Sequence, residues 1–344
     1  MKNNCIVNAI CALFTIASLS CDSSNPVDPS DNKNSDKSFV FSKDNSIMST
    51  NWVYSSAVEV DGTVWITTQG GGVYRKKGNQ WTNFTVQNTN GGLTENSVTK
   101  VLIDKQNTKW FGTNNYGVCT FKNEIWENKS TGLIDNHIKC LEMDSSGNIW
   151  VGTGKGAAKY NGNGWTNYSY NDSELPEGEV RAISAGSDGS IYFGIYSVLN
   201  DGGVAKLNGN TWTIYNRRNS TINNKTFGLY AMINGALWAA GDTGVSFFNG
   251  TSWILYNSST VSNAQITAGL NSIVTIAPAD GVVYFGGWGG LYSFDGNQWK
   301  NYNESEDDLP YTGLIDHIHI DNKGNKWLST MSNGLFVYNS SGVK

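Results

Sequence analysis

The chain has 344 residues, a net charge of −5 and only 15% charged residues. With no basic run, that balance excludes the electrostatic footprint of a nucleic-acid-binding protein. Glycine (39), tryptophan (13) and tyrosine (16) are abundant, which suits short strands and tight turns.

The N-terminus, "MKNNCIVNAICALFTIASLSC", reads as an export signal. One lysine precedes an apolar run from Ile6 to Leu19, too short to span a bilayer comfortably and ending in small residues. Cys21 directly after "SLS" resembles a bacterial lipobox, although Ser18 stands where leucine is usual. Residues 1–20 are therefore expected to be a lipoprotein signal peptide and Cys21 the lipidated residue, the alternative being plain secretion. Residues 21–37 hold almost no apolar side chain, so burial would not offset the entropy of ordering them, and a flexible tether is expected. The expected location is the bacterial cell envelope, with a lipid anchor at the outer membrane facing the periplasm or the surface. Beyond the signal and Cys21 only Cys119 and Cys140 remain, read as two small buried thiols rather than a pair.

Residues 38–344 are repetitive. With "DSSGNIWVGTGKGAAKYNGNGWTNYS" (Asp144–Ser169) as template, the first aromatic recurs at Trp65, Trp110, Trp150, Tyr192, Trp238, Tyr284 and Trp327, at gaps of 40 to 46 residues. A second recurs at Trp81, Trp126, Trp165, Trp212, Trp253 and Trp299. Each copy holds four short alternating runs separated by turn residues, the pattern of a four-stranded antiparallel β-propeller blade. The prediction is an all-β, seven-bladed propeller.

Seven first aromatics against six second ones leave the last blade one strand short. Ser38–Ser42 ("SFVFS") is expected to close the ring as the outer strand of that blade, which would remove two exposed edges. The step from Phe41 to Ser55 equals that from Phe84 to Val98, which puts the segment in phase. The "NG" and "DG" pairs read as hairpin turns and the second aromatics as filler between blades. "DxxGN" turns lack the ligand series of a calcium loop and the spacing of a sialidase Asp-box, so they too read as turns.

The stretch "I..LEMDSSGNIWVGTGKGAAKYNGNGW" resembles the two-component-regulator propeller repeat, with further matches at "VLIDKQNTKWFGTNNYGVCTF" and "IHIDNKGNKWLSTMSNGLFVY". The resemblance covers residues 52 to 338 and implies the propeller fold. It also implies kinship with periplasmic sensor regions, often ones responding to glycans, that carry two propellers, a transmembrane helix and a kinase. This chain is expected to carry one propeller and to act by another route. A more distant likeness is to streptogramin lyase propellers, which use histidine and glutamate with magnesium in a Glu-x-His arrangement that is missing here.

Function is expected at the mouth of the central channel, on the face bearing the loops between second and third strands and the connections between blades. Candidate ligand-binding residues are the aromatics Tyr116, Tyr196, Trp288 and Tyr311, with Asp242 and the inner-strand Arg181. Rings among amides and carboxylates suit sugar stacking. His317 and His319 are candidates near the channel, read with Glu59 and Glu142, the counterparts of His319 in other blades, as solvated channel-lining residues; the alternative is that Glu59 and His319 meet as an acid–base pair. Four arginines in all, with Arg181 alone on an inner strand, fall short of a sialidase cluster. No catalytic set, cofactor or metal is called for. The expectation is a monomeric, non-enzymatic module binding a glycan or an envelope protein. The alternatives are a lyase or hydrolase at the channel mouth and a structural scaffold.

Overall fold

The computed structural model describes residues 37–198, 202–222, 225–261, 269–302, 307, 309 and 313–343. The expected signal peptide, Cys21, the tether up to residue 36 and Tyr311 lie outside these residues.

Short β-branched and aromatic runs punctuated by glycine turns form seven four-stranded antiparallel sheets, each a blade. Blade 3 shows the plan. Ile138–Met143 is innermost, followed outward by Ile149–Thr153, Gly156–Tyr160 and Trp165–Tyr168. The other inner strands are Val53–Val58, Val98–Ile103, Glu179–Ala185, Thr226–Ala231, Ile273–Ala279 and Ile315–Ile320.

The ring closes as expected. Ser38–Phe41 pairs antiparallel with Leu335–Tyr338 as the outer strand of blade 7, in the register Ser38↔Tyr338 to Phe41↔Leu335. Phe41 lies between Trp327 of blade 7 and Trp81 of blade 1, and both contacts belong to one core cluster with Val53, Ile66 and Leu335. The phase of the strand, however, differs from that expected. Phe84 pairs with Val73 as Phe41 pairs with Leu335, but Val98 corresponds to Val53, and Ser55 to Lys100. The connection into blade 1 is thus two residues shorter than the one into blade 2, reaching Val53 rather than Ser55.

The core lies between blades. Trp65 and Val73 of blade 1 pack with Phe111 and Cys119 of blade 2. The second aromatics fill the wedges: Trp212 sits between Tyr168 and Phe193, and Trp299 between Tyr256 and Phe285. Cys119 and Cys140 are free and buried, and burial pushes each thiol up to about 12.

The recurring "GT..G" loop has a local cause. Thr68, Thr113, Thr153 and Thr330 each donate Oγ1 to the carbonyl of the loop's closing glycine at 2.8–3.0 Å. That glycine has positive φ and sits against the outer strand. A Cβ at Gly156 would lie 2.2 Å from the Tyr168 carbonyl oxygen, and one at Gly334 would lie 2.1 Å from that of Phe41. The N-terminal strand therefore stands where an in-sequence outer strand stands in other blades.

Candidate functional site

Every inner strand carries the same irregularity. Pairing with its neighbour slips by one residue near the strand start in all seven blades, as between Val180 and Ala182 or between Ile315 and His317. A β-bulge of this kind re-aims the unpaired side chain. The skipped residues are Tyr54, Thr99, Lys139 and Arg181 in blades 1 to 4, then Phe227, Val274 and Asp316 in blades 5 to 7. All seven line one cavity of about 520 Å³ at the channel mouth, joined there by Lys100, Asn114, Asp242 and Trp288. This is the loop face expected from sequence.

Side chains around this mouth are held by local chemistry. Arg181 donates Nε to Glu179 Oε2 at 2.7 Å, and Lys139 Nζ lies 3.7 Å from the same oxygen. The Arg181 guanidinium also stacks 3.8 Å above the Tyr196 ring and 5.4 Å from Phe227. Asp242 is paired with Lys225 at 3.0 Å. Burial holds the Asp316 carboxyl above the ordinary carboxylate range, against the opposing pull of the Lys100 charge. Burial likewise raises the Tyr54 phenol, helped by the charges of Asp316 and Glu95, and its hydroxyl donates to Gln69 Oε1. Trp288 stands at the rim, 62% exposed.

Of the sequence candidates, Arg181, Asp242 and Trp288 come together at this mouth. Tyr196 lies behind Arg181 and lines a neighbouring groove of about 590 Å³ over blades 3 and 4, with Tyr170, Glu179 and Val198. Tyr116 is exposed on its loop and lines neither space.

His317 and His319 go elsewhere. An extended strand turns alternate side chains apart, and beyond the bulge these two point along the channel wall toward the opposite mouth. They line a cavity of about 850 Å³ there with Ser56, Glu59 and Glu142. Burial lowers both imidazoles, His317 well below its ordinary value. His319 Nε2 accepts from the Val58 amide at 3.2 Å, which leaves the neutral ring with its proton on Nδ1. Burial pushes Glu142 up to about 7, against one hydrogen bond from the Ala185 amide.

The alternative Glu59–His319 pair is not formed as read. Glu142 does match His319, since each faces a first aromatic, Trp150 and Trp327. In blade 1 that place belongs to Ala57, opposite Trp65. Glu59 instead stands where blades 2, 3 and 7 have the turn aspartates Asp104, Asp144 and Asp321. It accepts Trp65 Nε1 at 2.7 Å and pairs with Lys109 at 3.0 Å. Among the described residues no cluster of three metal-ligating side chains occurs.

The bulged ring was missed from sequence, although a signal exists. Ten or eleven residues before each first aromatic lies a column holding Tyr, Thr, Lys, Arg, Phe, Val and Asp in turn. The residue before it is β-branched in every copy: Val53, Val98, Ile138, Val180, Thr226, Ile273 and Ile315. A variable column beside an invariant one marks a side chain released from structural duty.

The two component regulator propeller family matches residues 132–155, which run from the connection into blade 3 through its first hairpin. No curated protein matches the sequence. Among solved structures, the fold is similar to the extracellular domain of a hybrid two component system from B. thetaiotaomicron. That likeness has a TM-score of 0.70 at 18% identity and covers 86% of this chain and 40% of that one. Virginiamycin B lyase from Staphylococcus aureus matches with a TM-score of 0.65 at 17% identity, over 83% of this chain and 94% of that one. PorZ, a surface component of the type-IX secretion system of Porphyromonas gingivalis, matches at 0.66 and 16%, over 85% and 47%. The chain spans less than half the length of the first and third. The extracellular two component domain and the lyase thus share one architecture, and identities this low carry the fold alone. The chain is a seven-bladed β-propeller in which residues 132–155 match the two component regulator propeller family.

Proposed function

We propose that the chain is a non-enzymatic binding propeller of the bacterial envelope that takes a glycan at the upper mouth of its channel. The observation that carries this reading is the ring of bulged residues, one per blade, opening with Trp288 into a single cavity. Its volume of about 520 Å³ falls within the range of small-ligand sites. An exposed indole offers a stacking face for a sugar ring, while Asn114, Thr99 and Asp316 offer partners for hydroxyl groups. The Asp242 and Glu179 carboxylates are engaged with Lys225 and Arg181, so they position cations rather than stand free as acid and base. A site on seven rigid sheets orders little on binding. The proposal includes export, lipidation at Cys21 and the tether of residues 21–37, which would hold the ring away from a membrane surface.

A glycan screen read by thermal shift tests the proposal. A matching glycan is expected to raise the melting temperature, and Trp288→Ala to abolish that rise while leaving the unliganded melt unchanged. A screen in which no glycan moves the melt, or a shift that survives Trp288→Ala, would overturn it.

A further inference from the structure

The upper mouth is chemically two-sided, although the protein as a whole carries −5. Blades 2, 3 and 4 present Lys100, Lys139 and Arg181 in sequence around one arc. Phe227, Val274, Trp288 and Tyr54 on blades 5, 6 and 1 form an aromatic and apolar wall, with Asp316 of blade 7 set into it. On the cationic arc one carboxylate, Glu179, serves both Arg181 and Lys139. The Lys100 ammonium makes no hydrogen bond or ion pair among the described residues, and acts on Asp316 only through its field. Three cations face Glu179 on the arc and Asp316 across it, with Asp242 paired to Lys225, so the mouth keeps one cation more than its anions, in a recess where screening by salt is weaker than on open surface.

We infer that the ligand of this mouth is an acidic oligosaccharide whose carboxylate or sulfate lies between Lys100 and Lys139. This rests on the proposed role of the mouth as a glycan site. The acid group completes the arc, the ring's C–H face lies on the aromatic wall, and Asp316 accepts hydroxyls while repelling an anion from its own side. The ligand is thereby oriented one way round. Its chain leaves over the Arg181–Tyr196 stack, which separates the mouth from the blade 3–4 groove. In that groove Tyr170 and Val198 are 54% and 78% exposed, a surface for further sugar units.

Calorimetry with the full chain tests the inference. The probes are di- and tetrasaccharides of galacturonate and of chondroitin sulfate, their neutral forms (methyl-esterified galacturonate, and chondroitin both desulfated and methyl-esterified), and a glutamate-rich decapeptide. Acidic saccharides are expected to bind at least about tenfold more tightly than neutral ones, and more weakly as salt rises. Lys100→Gln should cost roughly tenfold to a hundredfold for the acidic forms and leave neutral forms unaffected. Tyr170→Ala should remove the advantage of the tetrasaccharide over the disaccharide. Neutral forms binding equally well, with Lys100→Gln silent and Trp288→Ala damaging, would overturn the acidic inference and leave the glycan site standing. Binding of none of the saccharides, or preferential binding of the peptide, would overturn both.

Discussion

The turn aspartate explains why a tryptophan sits where it does. Asp144 Oδ1 accepts the Asn148 amide at 2.9 Å, while Oδ2 accepts Asn148 Nδ2 at 2.8 Å and Trp150 Nε1 at 2.9 Å. Asp104 and Asp321 bind Trp110 and Trp327 in the same way, six residues apart. Blade 5 has Met232 at that place, and Trp238 Nε1 is buried with no acceptor among the described residues. One carboxylate thus closes a turn and satisfies a buried indole that burial alone would penalise. Asp144→Ala is expected to cost about 1–3 kcal/mol in chemical denaturation, with Trp150 fluorescence reporting the loss. Burial opposes the charge on Asp144 and Asp321, but hydrogen bonds from Asn148 and Trp150, and from Trp327 and Asn325, outweigh it and hold both below the ordinary range. Their contribution is therefore complete above about pH 4 and is lost as pH falls through the folded values.

Glu142 has the opposite sign. Folded, it keeps its proton up to about pH 7; unfolded, it releases it in the ordinary carboxylate range. The folded chain binds more protons in that window, so this residue's contribution declines as pH rises from about 4.5 to about 7. Glu142→Gln should remove that slope. The melting temperature of the variant relative to the parent is expected to climb across the window and level off above it. A constant difference would show that the carboxyl is already ionised.

At the scale of elements, the closing strand carries the most. Ser38–Phe41 is four residues long, yet it covers the edge of Leu335–Tyr338 and places Phe41, 2% exposed, in the joint between blades 7 and 1. Removing a buried phenylalanine typically costs about 3–5 kcal/mol, and an uncovered edge adds an aggregation risk. Deleting residues 38–42 should sharply lower the melting temperature, and Gly334→Ala should do so more mildly, by pressing a Cβ against the Phe41 carbonyl. An unchanged melt after the deletion would mean that the ring holds without its clasp. The strand was legible because a count of copies exposed the gap. The connection length was not, since loop residues between Phe41 and Val53 carry no periodic constraint.

At the scale of the molecule, the ring converts small local irregularities into a site. One bulge aims one side chain; seven bulges around a closed ring aim seven at a common space. Arg181 could be picked out from sequence as an inner-strand arginine, and Trp288 as an indole between glycines. Lys139, Phe227 and Asp316 could not, because strict alternation assigns each a face that the bulge changes. Glu59 lies six residues before its first aromatic whereas Glu142 and His319 lie eight before theirs, and the pairing gives that place in blade 1 to Ala57. The sequence by itself determined the blade count, the turn chemistry, the aromatic wedges and the strand that closes the ring. Those depend on period and local conformation, which recur in every copy. Only the tertiary structure decided which side chains meet across the channel, and that the histidines and the indole face opposite mouths. Those relations join residues far apart in the chain, and no local repeat encodes them.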